Sequence, residues 1–135
     1  MYKHILVPIV FDEEHDGTRA IEVAGRLAPP DAKVTLLHVM EEVPGYAISY
    51  LPEGFREGSR KAVAAAMAEK GKVLPHAETA IIEGHAGRSI LSYAEGAGVD
   101  CIVISSHRPG LGDYLLGSTA TRVVRHAQCS VHVIR

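Results

Sequence analysis

At 135 residues, 47% of them hydrophobic and 22% charged, the chain has the size and composition of one domain over 1–135 with a substantial apolar core. Its net charge is −2 and its fourteen Lys and Arg are scattered, which argues against a nucleic-acid or anionic-lipid surface. No apolar run reaches the about 18 residues of a membrane span, and the opening "MYKHILVPIVFDEEHD" turns acidic too soon for a signal peptide. The expectation is a soluble cytoplasmic protein with no nucleic-acid partner and no membrane insertion.

Residues 4–10, "HILVPIV", are apolar and rich in branched side chains, the pattern of a strand buried on both faces. Pro8 interrupts the run near its end, where it frees an edge for a ligand. After the polar turn "FDEEHDGT", Ala20, Ile21, Ala24, Leu27 and Ala28 recur at helical spacing, and Pro29 and Pro30 stop the helix. "KVTLLHV", 33–39, is the second strand, with His38 read as a core histidine. The stretch from 40 to 56 has two prolines and no period and reads as a flexible loop, in which Tyr46 and Tyr50 could cover a ligand, a partner or the domain itself.

A helix follows over 56–70, with Val63, Ala66 and Met67 facing inward. The third strand runs from Glu78 to Ile82. Gly87 and Arg88 lead into a helix carrying Ile90, Leu91, Ala94 and Ala97, and Gly96 and Gly98 end it. His85 and Arg88 stand near this helix start, either beside a ligand or in solvent. "DCIVIS", 100–105, is the fourth strand. The last helix spans about Ser118–His126 with Ala120, Val123, Val124 and Ala127 inward, and "SVHVI", 130–134, is the fifth strand. Cys101 and Cys129 read as buried free thiols, and the dispersed histidines form no metal-binding pattern.

Strands and helices alternate, so the chain should be α/β, with a mainly parallel sheet covered on both faces. Such sheets bind ligands outside the carboxyl ends of their strands. The segments 11–17, 40–56 and 106–117 all leave those ends. The last lies within "SSHRPGLGDYLLGSTATR", where Gly110, Gly112 and Gly117 allow unusual φ values and close backbone approach. Gly117, Ser118 and Thr119 stand where a helix begins, so unpaired N–H groups and a partial positive charge would meet an anion there. His107 and Arg108 could reach the same anion. The same residues would equally serve as a helix cap and a turn. The loop is neither a Walker A motif nor a dinucleotide fingerprint.

The blocks "ILVPI", "EG" at 83–84, "DCIVISSH" and "LLGSTATRVVRHAQCSVHVIR" resemble the universal stress protein (UspA) family over the whole chain. The resemblance implies a doubly wound five-stranded sheet of order 3-2-1-4-5, frequent dimerisation and, in one branch, ATP binding through a G-x2-G-x9-G-Ser/Thr motif. Gly117 and Ser118 match the end of that motif, and Thr119 follows. Aligned from the fourth strand, Ser105 stands at the first glycine and Arg108 at the second. The loop is then one residue short, and Pro109, Gly110 and Gly112 supply the turn in another way. Where the family pattern has Asp after the first-strand proline, this chain has Val10, and the nearest carboxylate is Asp12. The resemblance also implies base contacts from the backbones of Ile9, Val10 and Val39, beside Pro8, with Ile104 as the apolar wall.

The expected function is therefore that of an ATP-binding regulatory stress-response protein, with Mg2+ arriving on the phosphates. It would act through nucleotide-dependent assembly or a regulated protein partner that the sequence does not name. No catalytic residues are identified. A slow ATP hydrolase and a dimeric interaction protein that binds no nucleotide are the alternatives. The edge strand 130–134 is the expected homodimer contact.

Overall fold

The first apolar run becomes β1 (His4–Pro8), shorter at its carboxyl end than the expected 4–10. Ile5, Leu6 and Val7 have no solvent exposure, because β1 lies in the middle of the sheet. The computed structural model describes residues 1–11, 17–106 and 116–135. The other elements are α1 (Thr18–Leu27), β2 (Lys33–Met40), α2 (Gly45–Ile48), α3 (Phe55–Gly71), β3 (Glu78–Glu83), α4 (Ala86–Gly96), β4 (Cys101–Ser105), α5 (Ser118–His126) and β5 (Ser130–Ile134). The strands form a five-stranded sheet in the order β3-β2-β1-β4-β5, every pair parallel.

Alternation along β1 divides the core in two. Ile5, Val7 and Ile9 pack on one face with Ala20, Ile21 and Ala24 of α1 and Met67 of α3. Leu6 faces the other way, into a cluster with Ile90 and Ala94 of α4 and Ala120 and Val123 of α5. This is the period of two that a strand covered on both faces requires.

Three expectations about faces and loops are corrected. Val124 is 43% exposed, because the inward stripe of α5 is narrow and runs through Ala120 and Val123. Ala97 is exposed just past the end of α4, where its carbonyl serves as an acceptor. The segment 40–56 holds the single turn α2 and the first residues of α3, with Tyr46 and Tyr50 at 82% and 85% exposure. Cys101 is buried and Cys129 half-buried, both as free thiols. They belong to opposite faces of the sheet, and burial pushes both thiols up from their ordinary pKa.

At the amino ends of the strands the backbone is tied shut. Lys33 N–H donates to Lys3 C=O at 2.9 Å and Asp100 N–H to His4 C=O at 3.0 Å. The Asp100 carboxylate accepts the N–H groups of Lys3 at 2.9 Å and His4 at 3.1 Å. His4 Nδ1 lies 3.2 Å from Ala97 C=O, which can only accept, so Nδ1 carries the hydrogen. Nε2 then accepts the Thr35 hydroxyl at 2.8 Å.

Burial pushes the Asp100 carboxyl up, but the N–H donors of Lys3 and His4 outweigh it and hold the group below the usual carboxylate range. Asp100→Asn should therefore lower stability at neutral pH by about 1 kcal/mol, a modest figure because the bonds are partly exposed. The difference is full above the unfolded-state carboxyl pKa and disappears as pH falls through the depressed folded value. Chemical denaturation of both proteins across that pH range checks this, and equal stability at neutral pH would contradict it.

Candidate functional site

At the carboxyl ends of the strands the sheet opens. Ile9 N–H still donates to Leu37 C=O at 2.7 Å, so residue 9 faces β2 and residue 8 faces β4. Proline has no N–H to offer on that side, and the β1–β4 register ends at Leu6↔Ile102. β2 continues to Met40, whose C=O accepts Gly84 N–H at 3.0 Å on the β3 side. Backbone groups alternate along a strand, so Val39, like Leu37, faces the β1 side. There β1 has ended, and the N–H and C=O of Val39 point towards the gap.

A cavity of about 320 Å³ occupies this gap. That is within the roughly 300–1,000 Å³ usual for small-molecule sites. Pro8, Ile9 and Val10 line it from the end of β1, Val39 from β2, and Ile104 and Ser105 from β4. Gly117, Ser118 and Thr119 line it from the start of α5. These expected site residues are thus brought together. Asp12, His107, Arg108, Gly110 and Gly112 lie outside the described residues. Ile104 is 3% exposed and forms apolar wall, whereas Val10, in the place of the family's Asp, is 49% exposed.

Gly117 is the N-cap of α5 at φ −61° and ψ 159°, extended backbone that any residue adopts. The expectation that it supplies an unusual φ is corrected: Gly117 lines the cavity in ordinary extended backbone. Nor does Ser118 cap the helix, since Gly117 holds that position and no side chain bonds there. The first intrahelical bond runs from Thr121 N–H to Gly117 C=O at 2.9 Å. The N–H groups of Ser118, Thr119 and Ala120 precede it, on residues that line the cavity, and have no acceptor within the helix. This end of the cavity is a donor surface suited to an anion.

His38, read from sequence as a core histidine, is half-buried and lines the cavity. Its Nδ1 lies 2.8 Å from Ile9 C=O, and its ring centroid is 5.1 Å from that of Phe11. Phe11, Glu41, Ala86 and Ser106 are further lining residues that sequence reasoning did not single out, and Ile90, read only as a residue of α4, lines the cavity as well. For His38 a signal existed: it stands three residues before Glu41, near the strand end where such sheets bind ligands. His85 and Arg88 are exposed and do not line the cavity. Among the described residues no group of His, Cys, Asp and Glu is placed to hold a metal ion, and no helix is long and apolar enough to cross a membrane.

Comparison with known proteins gives one consistent family. The model of the universal stress protein family matches residues 1–135. Universal stress protein G of Shigella flexneri is 27% identical, over 100% of both chains. A universal stress protein of Methanocaldococcus jannaschii is 30% identical, over 100% of this chain and 83% of the relative. Among solved structures, UspA of Lactobacillus plantarum superposes with a TM-score of 0.72 at 26% identity, covering 99% of this chain and 98% of the other. A family member from Arabidopsis thaliana with AMP bound gives 0.63 at 22% identity, covering 98% and 90%. One from Archaeoglobus fulgidus in complex with dAMP gives 0.66 at 18% identity, covering 99% and 98%.

Ile104 packs with the α4–α5 face while lining the cavity. Ile104→Ala should lower unfolding free energy by about 2–3 kcal/mol, through lost burial and a widened void. Denaturant unfolding measures it. A change under about 0.5 kcal/mol, the size of an ordinary surface substitution, would mean that this wall is not packed as described.

Proposed function

The chain belongs to the universal stress protein family, and we propose that it binds an adenine nucleotide, ATP in particular, in the cavity at the carboxyl ends of β1, β2 and β4. The observation that carries this reading is a pair of complementary surfaces in one cavity: the backbone N–H and C=O of Val39 in one wall, and the donor-rich start of α5 in another. The first suits the edge of a base, which presents a donor and an acceptor side by side. The second suits phosphate. Ile9 and Ile104 supply apolar surface for the base. The AMP and dAMP complexes of the Arabidopsis and Archaeoglobus proteins support the ligand class.

The described residues fit the nucleotide better than they fit a dedicated metal site. Mg2+ would be held mainly by phosphate oxygens and water, with a hydroxyl of Ser118 or Thr119 as the protein's contribution. Asp100 cannot serve, because it lies at the amino ends of the strands and is committed to Lys3 and His4. His107 and Arg108 add phosphate contacts and Asp12 a ribose contact in this reading, which rests for them on sequence. Hydrolysis is at most slow, and the protein acts as a stress-response regulator through its nucleotide state.

The wild-type chain should bind ATP on calorimetric titration, and gently purified protein should carry ATP or ADP detectable by mass spectrometry. Gly117→Val adds a side chain at the α5 N-cap, which lines the cavity, without forbidding its backbone angles. It should weaken ATP at least tenfold, about 1.4 kcal/mol, and adenosine much less. A wild-type protein that binds no ATP at millimolar concentration would overturn the reading. Equal loss of ATP and adenosine would move the phosphates away from α5.

The reading includes a homodimer through the β5 edge. Ser130 N–H donates to Asp100 C=O at 3.3 Å and Ile134 C=O accepts Ser106 N–H at 2.9 Å, so residues 130 and 134 face β4. By alternation Val131 and Val133 present their N–H and C=O groups to the open edge. Two such edges pairing about a twofold axis would extend the sheet. Val133→Pro removes an outward donor while sparing the β4–β5 bonds, and should shift the protein towards monomer. Light scattering at several concentrations tests this, and a monomeric parent would rule the edge dimer out.

A further inference from the structure

We propose that His38 is a positioning residue that keeps the Val39 backbone available to the base of the bound nucleotide, by occupying the Ile9 carbonyl that Val39 would otherwise pair with. The role of the base rests on the nucleotide reading above; the competition for the carbonyl does not.

In a parallel ladder a residue facing its neighbour donates to one partner residue and accepts from the residue two further on. Ile9 fulfils the first half, N–H to Leu37 C=O at 2.7 Å. The second half would be Val39 N–H to Ile9 C=O. That bond is not made. The Ile9 carbonyl is met instead by His38 Nδ1 at 2.8 Å. A carbonyl only accepts, so Nδ1 carries the hydrogen and donates. The Phe11 ring, tilted at 56° and 5.1 Å away, packs against the imidazole and limits its freedom.

The physical consequence is specific. A buried carbonyl left without a donor is costly, so an unoccupied Ile9 C=O would draw in the nearest N–H. That group is Val39 N–H, one rung along. The ladder would then close by one residue over the mouth of the cavity. With His38 in place the carbonyl is satisfied by a side chain, β1 can leave the sheet, and Val39 keeps a donor and an acceptor for a ligand. Leucine at position 38 would retain bulk and remove the donor. Asparagine would retain a donor, because its amide nitrogen is bonded to Cγ as Nδ1 is.

The test compares wild type, His38→Leu and His38→Asn on the full chain. Amide hydrogen exchange read by NMR in the free proteins is the first measurement. Val39 should exchange much faster than Leu37 in wild type and in His38→Asn, and at least tenfold more slowly in His38→Leu. Adenosine titration is the second. Affinity should fall at least tenfold in His38→Leu and stay within about threefold of wild type in His38→Asn, while inorganic tripolyphosphate binds all three alike. A Val39 amide in wild type as protected as Leu37 overturns the proposal, and that measurement stands even where a variant fails to fold. A folded His38→Leu with unchanged Val39 exchange or unchanged adenosine affinity overturns it as well. Absence of adenosine binding in wild type would sink the nucleotide reading instead, and Val39 exchange would still decide what His38 does.

Discussion

The site depends on where β1 stops. A strand in the middle of a parallel sheet has paired backbone on both sides and apolar side chains on both faces, and such a strand has no inexpensive place to end. Here β1 ends before β2 does, and each flank is relieved in its own way. On the β4 side Pro8 removes a donor that would otherwise need a partner. On the β2 side a histidine side chain occupies the last carbonyl. The space left between β2 and β4 is the cavity, and the Val39 backbone groups in its wall are ones that β1 would have paired had it continued.

The two ends of the same strands make the point by contrast. At the amino ends Asp100, His4 and Thr35 tie the backbone of β1 to its neighbours, and backbone bonds from Lys33 and Asp100 close the remaining gaps. His4 and His38 do related work in opposite directions. Each donates from Nδ1 to a carbonyl. The first draws in the turn after α4 and seals an end of the sheet, and the second satisfies a carbonyl so that the other end stays open. The cavity at the carboxyl ends follows from this asymmetry.

Much of this was legible in the sequence because it is written in hydrophobic period. The strand runs and the stripes of α1 and α5 were readable since burial on both sheet faces leaves almost no choice of residue type. The positions that misread are those where position along an element outweighs residue type. Val124 is apolar but lies outside a narrow helix stripe, and Gly117 suggests a special φ but sits in ordinary extended backbone. His38 looks like a core residue because five of its neighbours are apolar. Whether a strand residue packs or pairs depends on where the adjacent strand ends, and that strand is some thirty positions away in the chain.

The proposed recognition through Val39 and the start of α5 relies on backbone, and backbone groups are present whatever the side chains are. In the proposed reading, a chain with an exposed valine where the family pattern has a carboxylate would still offer a base edge and a phosphate end. It also moves the sequence constraint elsewhere. Val39 itself could be exchanged for another apolar residue without changing what its N–H and C=O present. Pro8 and His38 could not, because they decide whether those groups face a ligand or a neighbouring strand. For the proposed nucleotide site, the determinants are then the residues that end β1, and a search for ligand-contacting side chains would pass over them.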